Sequence, residues 1–274
     1  MKDSRLSAVL DQVRQSKGNV TVLTGAGISA ESGIPTFRGP EGYWTVGSKV
    51  YQPQEMATQA MFRRDPRAVW QFYLWRLGVC RQAEPNAGHK ALVQIEKQLR
   101  SRFTLITQNV DNLHLRAGQN PERTYQIHGN LTYVRCSAEC SRGIIPMPPE
   151  VRPKAKEEAV PPEEWRELHC PRCGALLRPH VLWFDESYDE DYYRLHSSLE
   201  AALATTLLIV VGTSGATNLP NQIVGQVYRQ GGFIIDINPE SNPFGQLARG
   251  YKKGLCIQAK SAGMLEEIAG HICA

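Results

Sequence analysis

The run Val20-Thr21-Val22-Leu23 stops at Gly25-Ala26-Gly27, and the chain then restarts as a helix. No other feature of the sequence restricts the fold as much. A short unbroken run of β-branched and apolar residues describes a strand buried on both faces. Glycines at its end permit positive φ and let another backbone or a ligand come close. A helix beginning there aims N–H groups and the positive end of its dipole at the same turn. The expected unit is therefore strand, turn and helix, with a turn suited to phosphate. An ordinary strand-to-helix turn is the plain alternative, and Gly-x-Gly alone does not separate the two.

The pattern recurs. Residues 103–107, 207–211, 233–237 and 255–257 read as further strands. Gln108-Asn109-Val110-Asp111, Gly212-Thr213-Ser214 and Asn238-Pro239 follow three of them directly. Small and polar residues in these positions lie on the carboxyl edge of a parallel sheet, where α/β proteins bind ligands. For Asp111 or Asn112, capping the next helix is the competing reading. Gly25, Gly27 and Ala30 fit the dinucleotide fingerprint, but the acidic residue expected about 20 positions later is missing. Gly33-Ile34-Pro35-Thr36-Phe37-Arg38 stands instead, a rigid loop placed to close over a cofactor. This argues against a dehydrogenase.

Hydrophobic residues make up 42% of the 274 and charged residues 21%, so the chain should fold throughout. A net charge of +4 without a dense Lys/Arg block argues against nucleic-acid binding. Leu6, Val9, Leu10 and Val13 have helical spacing and form no continuous apolar segment. Neither a signal peptide nor a membrane span is expected, and a cytoplasmic protein is. Cys136-x3-Cys140 and Cys170-x2-Cys173 have the spacing of a closed structural zinc site, favoured over two disulfides where no export signal is present. His169 is a spare ligand, while Cys80, Cys256 and Cys273 read as core or surface thiols.

Asp65-Pro66 opens the clearest helix, with Asp as N-cap and Pro at the first helical position. On that helix Tyr73 and Arg76 are three apart and share a face, so a phenol and a guanidinium can point into one pocket. Core packing is the competing reading. A second helix starts near Pro85-Asn86-Ala87, and a short one near Pro162-Glu163-Glu164-Trp165. His128, after the strand-like residues 124–127 and before Gly129, is the general-base candidate, because an imidazole titrates near working pH. His89 and His114 are expected to be structural.

The segment Gly25-Ala26-Gly27-x-Ser29-x-x-Ser32-Gly33-Ile34-Pro35-x-Phe37-Arg38 resembles the first signature of the sirtuins. Gln108-Asn109-x-Asp111, His128-Gly129 and the segment Arg178 to Glu186 extend the resemblance over residues 18–268. It implies a Rossmann-like parallel sheet with helices on both faces, from residues 1–43, 85–130 and 179–274. It also implies a small domain made of a helical insertion (44–84) and a zinc-binding module (131–178). The implied activity is NAD-dependent removal of acyl groups from protein lysine, giving nicotinamide and O-acyl-ADP-ribose. Protein ADP-ribosyltransferase or NAD glycohydrolase activity in the same cleft is the alternative.

By the same resemblance, Gly25, Ala26, Gly27, Glu31, Phe37, Arg38, Gln108, Asn109, Asp111, Gly212, Thr213, Ser214, Asn238 and Ser261 would contact NAD. His128 and Asn109 would be catalytic, and Val181 and Phe184 would meet the acyl-lysine peptide. Tyr73 and Arg76 match the pair that binds the carboxylate of succinyl-type groups in class III members. Asp185 departs from the family's usual Gly, and residues 215–221 depart from its usual pattern, so peptide preference is open. A monomer acting on acyl-lysine proteins is expected.

Overall fold

The computed structural model describes residues 4–36 and 53–274. Six strands form one parallel sheet: β1 (Asn19–Thr24), β2 (Phe103–Thr107), β3 (Thr124–Gln126), β7 (Thr205–Val211), β8 (Phe233–Ile237) and β9 (Gly254–Ile257). Between β3 and β7 the chain makes β4 (Gly129–Cys136), β5 (Ile144–Pro146) and β6 (Leu177–Val181), an antiparallel sheet in the order β5-β4-β6.

The parallel sheet has the order β3-β2-β1-β7-β8-β9, the doubly wound Rossmann arrangement. β1 is central: Thr24 lies level with Thr107 of β2 on one side and Val211 of β7 on the other. Connections leave β1 in opposite directions, so the strand ends at Thr24, Thr107 and Val211 border a crevice at the topological switch point.

Alternation along the buried strands divides the main core in two. Val20 and Val22 of β1, with Leu207, Ile209 and Val211 of β7, pack against the helices Ser4–Ser16, Ala87–Leu99 and Ser261–Cys273. Leu23, Leu208 and Val210 face the other way, onto the helices Asn218–Arg229 and Pro243–Gly250. The sheet is therefore covered on both faces, as its continuous apolar runs require.

A third core joins the helix Pro66–Gln82 to the antiparallel sheet. The local signals act as expected: Asp65 accepts the Ala68 N–H at 3.0 Å with Pro66 in the first turn, and Asn86 caps Ala87–Leu99. Trp70 donates its indole N–H to the Leu177 carbonyl at 3.0 Å, which fixes this helix to β6. His89 and His114 are buried with their rings 4.8 Å apart, and His89 completes the Asn86 capping box. Among the described residues, no helix is long and apolar enough to cross a membrane.

Candidate active site

The glycine turn is built by close packing of two backbones. A Cβ on Gly27 would stand 2.6 Å from the Gly212 Cα, and one on Gly25 would stand 2.8 Å from the Thr213 Cβ. The Gly25 N–H donates to the Val211 carbonyl and the Gly27 N–H to the Gly212 carbonyl. The amides of Ile28 and Ser29 bond back to Gly25 and Ala26. Of the amides of residues 25–29, four thus serve the protein itself, and among the described residues the N–H of Ala26 is the one with no backbone partner. The glycines are needed first to bring the end of β1 against the turn after β7.

Ser29 links this turn to the one after β2. It donates to Asp111 Oδ2 at 2.6 Å and accepts from Asn109 Nδ2 at 3.1 Å. Asp111 Oδ1 accepts the Leu113 N–H at 2.9 Å, so the same carboxylate also ties down the first turn of the helix Leu113–Ala117, whose N-cap is Asn112. Burial raises the Asp111 carboxyl above its ordinary range, opposed by the Ser29 and Leu113 hydrogen bonds and by the charges of Arg76 and Arg116. Gln108 donates to the Thr213 hydroxyl at 2.8 Å and accepts from the Thr217 hydroxyl at 2.9 Å. Asn238 donates to the Thr213 carbonyl at 3.0 Å, which joins the end of β8 to the same cluster, and Ser214 is exposed beside it.

His128 sits at the edge of this group. Its Nδ1 lies 3.1 Å from the Gln108 carbonyl and its Nε2 2.8 Å from the Tyr188 hydroxyl. Since a carbonyl only accepts, Nδ1 carries the proton and Nε2 the lone pair. Burial lowers the pKa to about 4, against the raising effect of the Gln108 carbonyl, so the ring is neutral at physiological pH. The structure thus provides a neutral imidazole with a single basic atom. Val181 of β6 lies level with Gly129, and the Leu182 N–H donates to the His128 carbonyl. Beyond them in the chain Phe184 is 58% exposed, an apolar side chain open to solvent.

Asp185 receives the N–H groups of Gln59 and Ala60, at 2.8 and 3.1 Å. It therefore ties the 184–188 loop to the start of the helix Gln59–Arg64, a role that a glycine cannot fill. Glu31 accepts the Ser261 hydroxyl and the Ala262 N–H, at 2.8 and 2.9 Å. This pairing holds the short helix Gly27–Ala30 to the start of Ser261–Cys273. Phe37 and Arg38 lie outside the described residues.

Tyr73 and Arg76 are both buried on the inner side of Pro66–Gln82. The Tyr73 hydroxyl accepts from Trp183 Nε1 at 2.9 Å, and burial pushes its pKa up to about 12. The pair therefore places a cation beside a neutral phenol, within electrostatic range of Asp111.

The four cysteines converge. Their sulfurs lie within 4.8 Å of one another, with Cys136 and Cys173 at 3.5 Å and Cys140 and Cys170 at 3.6 Å. These gaps exceed a disulfide bond of about 2.05 Å and suit four thiolates at about 2.3 Å from one zinc ion. Backbone N–H groups of Arg172 and Cys173 lower the Cys170 thiol to about 6, while hydrogen bonds from the other cysteines raise Cys140 to about 12. Four such groups ionise together only around a cation. His169 turns instead to the Arg166 carbonyl.

Three residues that sequence reading left without a role are central here: Ser29, Tyr188 and Thr217. Ser29 stands inside the quoted signature, which could have marked it. Nothing local distinguishes Tyr188 or Thr217.

The Sir2 family model matches residues 25–218. An NAD-dependent protein deacylase of Leptospira interrogans is 36% identical over 92% of this chain and 92% of its own length. One of Aquifex aeolicus is 40% identical over 84% of this chain and 87% of its own. Among solved structures, that of a Sir2 homolog–NAD complex superposes with a TM-score of 0.79 at 32% identity, covering 99% of this chain and 94% of that one.

Proposed function

The chain belongs to the Sir2 family, and from that membership and the geometry of the cleft we infer an NAD-dependent protein-lysine deacylase that accepts acidic acyl groups. NAD is consumed and supplies the ribose carbon that takes the acyl oxygen as nicotinamide leaves. The products are free lysine, nicotinamide and O-acyl-ADP-ribose. The observation that carries the reading is His128: a neutral imidazole held through Nδ1 by the Gln108 carbonyl, whose one lone pair, on Nε2, meets the Tyr188 hydroxyl. Such a group accepts a proton from a ribose hydroxyl.

In this reading, Asn109, Ser29 and Asp111 form one hydrogen-bonded unit that orients the nicotinamide end of NAD. Gln108, Thr213 and Asn238 hold the adjoining turns, and the Ala26 N–H is the donor left for the pyrophosphate. Gly25 and Gly27 shape that turn, and Gly212 does so from the other side. Phe37 and Arg38 close the loop above, and Glu31 and Ser261 brace the helix below. The acyl-lysine lies along Val181 and Phe184. The four cysteines hold zinc, which keeps the antiparallel sheet in place and takes no part in the chemistry. The helical insertion and this zinc module make up a small domain beside the NAD-binding one. The enzyme acts as a cytoplasmic monomer.

For the acyl group, support comes from Arg76 and Tyr73. A guanidinium is the preferred partner of a carboxylate, and a protonated phenol adds a donor. The expectation is that Arg76→Met weakens desuccinylation at least ten-fold more than deacetylation.

The test is product analysis by mass spectrometry with NAD and matched acetyl- and succinyl-lysine peptides, comparing wild type with His128→Tyr. Acyl-ADP-ribose that disappears in the variant supports the assignment. ADP-ribose on protein or on water, without deacylation, would replace it with the transferase or glycohydrolase reading. Equal losses on both peptides in Arg76→Met would refute the carboxylate role.

A further inference from the structure

We propose that Tyr188 is a latch on the base: its hydroxyl occupies the lone pair of His128 Nε2 until the acyl-lysine peptide draws the phenol away. The inference rests on the deacylase reading and adds a residue to it. It follows from a count of hydrogen-bonding capacity. The His128 ring is neutral, and its Nδ1 proton is committed to the Gln108 carbonyl. Only Nε2 can accept, and it has one lone pair. The Tyr188 hydroxyl is protonated, because burial pushes its pKa up to about 12, and it donates to that atom at 2.8 Å. A ribose hydroxyl that is to lose its proton to His128 needs the same lone pair. The two donors compete, so the base is capped while Tyr188 stays in place.

The position of Tyr188 connects its release to substrate. It closes the 184–188 loop, which begins at the exposed Phe184 and is anchored through Asp185 to the N–H groups of Gln59 and Ala60. Thr217, the residue before the helix Asn218–Arg229, lies in hydrogen-bonding reach of the same phenol. Its own proton goes to Gln108 Oε1, so its oxygen is an acceptor ready for a displaced Tyr188. The latch thus bridges the 184–188 loop, beside the proposed acyl-lysine path along Val181 and Phe184, and the loop that ends at Thr217. Occupation of those loops moves the phenol from Nε2 toward Thr217 and exposes the base when an acyl group is present to use it. Tyr188 is a positioning residue, acting through His128.

The experiment measures binding of a non-cleavable carbocyclic NAD analogue by calorimetry. Wild type, Tyr188→Phe and Tyr188→Leu are compared, each without and with a saturating acyl-lysine peptide that the wild type turns over. Without peptide, both variants should bind the analogue about five-fold more tightly, the factor that one ordinary neutral hydrogen bond carries. With peptide the ratio should fall to about one, and in a His128→Ala background the variants should bind alike. Unchanged or weaker binding without peptide, or a gain that persists with peptide or without His128, would overturn the latch. Wild-type protein that binds the analogue yet forms no acyl-ADP-ribose from any acyl peptide would refute the deacylase reading and with it the release by peptide, while the peptide-free comparison would still decide whether Tyr188 caps His128.

Discussion

Gly27, Gly212 and Gly33 separate two costs of adding a methyl group to a turn. At Gly27 a Cβ would meet Gly212 backbone atoms at 2.6, 2.8 and 3.0 Å, where ordinary contact begins near 3.4 Å. Neither partner is a side chain that can swing aside, so the ends of β1 and β7 must separate by several tenths of an ångström. The Gly27 N–H to Gly212 carbonyl bond, 2.8 Å long, would stretch as they do. Overpacking of this kind costs about 1–3 kcal/mol, and weakening the bond adds about 1 kcal/mol. Gly33 has φ +81° and nothing within 4 Å among the described residues, so alanine there incurs mainly backbone strain of about 1–2 kcal/mol. Gly212, at φ +58° with Gly27 Cα at 2.6 Å, incurs both. Urea denaturation of ligand-free protein should therefore rank the losses Gly212→Ala, then Gly27→Ala, then Gly33→Ala, with roughly 2–4 kcal/mol for Gly27→Ala. A loss at Gly27 no larger than at Gly33 would refute the account of the turn as two backbones in contact.

Other consequences are as direct. His128 is held neutral down to about pH 4, so the acid limb of kcat/KM for NAD should lie well below 6.5; a limb at 6.5 or above would show that burial does not control this base. His89, His114, His128 and His180 are all lowered, chiefly by burial, so the unfolded chain binds more protons than the folded one below pH 6.5. Their stabilising contribution is complete above that pH and is lost as pH falls toward the folded values. Asp111 and Asp236, raised by burial, act in the opposite direction. The net expectation is a loss of several kcal/mol between pH 7.5 and 5, at about 1.4 kcal/mol per pH unit for each histidine, and a flat profile in denaturant titrations would contradict it. Asp185→Ala should cost about 0.5–2 kcal/mol through the hydrogen bonds lost from the Gln59 and Ala60 N–H groups and raise KM for peptide more than for NAD; an unchanged peptide KM would separate this tie from the substrate loop. Removing zinc with a chelator should abolish the antiparallel sheet's resistance to proteolysis first, and uniform cleavage along the chain would show that the metal supports no distinct unit.

Features whose partners lie within three residues were readable in advance. Asp65 and Asn86 cap their helices because cap and first turn are adjacent in the chain. The cysteine pairs were readable because a zinc site leaves its spacing in the sequence. Contacts between distant segments were not. Glu31 and Ser261 are 230 positions apart, and nothing near either of them in the chain announces that they pair. Asp185 looked like a departure from pattern, yet its partners, Gln59 and Ala60, lie more than a hundred positions earlier.

The sequence alone determined which segments would be the strands of the parallel sheet, that their polar ends would share one edge, and which residue types would gather there; the antiparallel sheet β5-β4-β6 was not read from it. Those properties follow from period, burial and local hydrogen bonding, which depend on near neighbours. Only the tertiary structure decided which atoms are already engaged: four of five amides at the glycine turn, the Tyr73 hydroxyl held by Trp183, and the His128 lone pair covered by Tyr188. Strand order sets those pairings by bringing β1 between β2 and β7, and a donor's availability depends on what that packing places beside it.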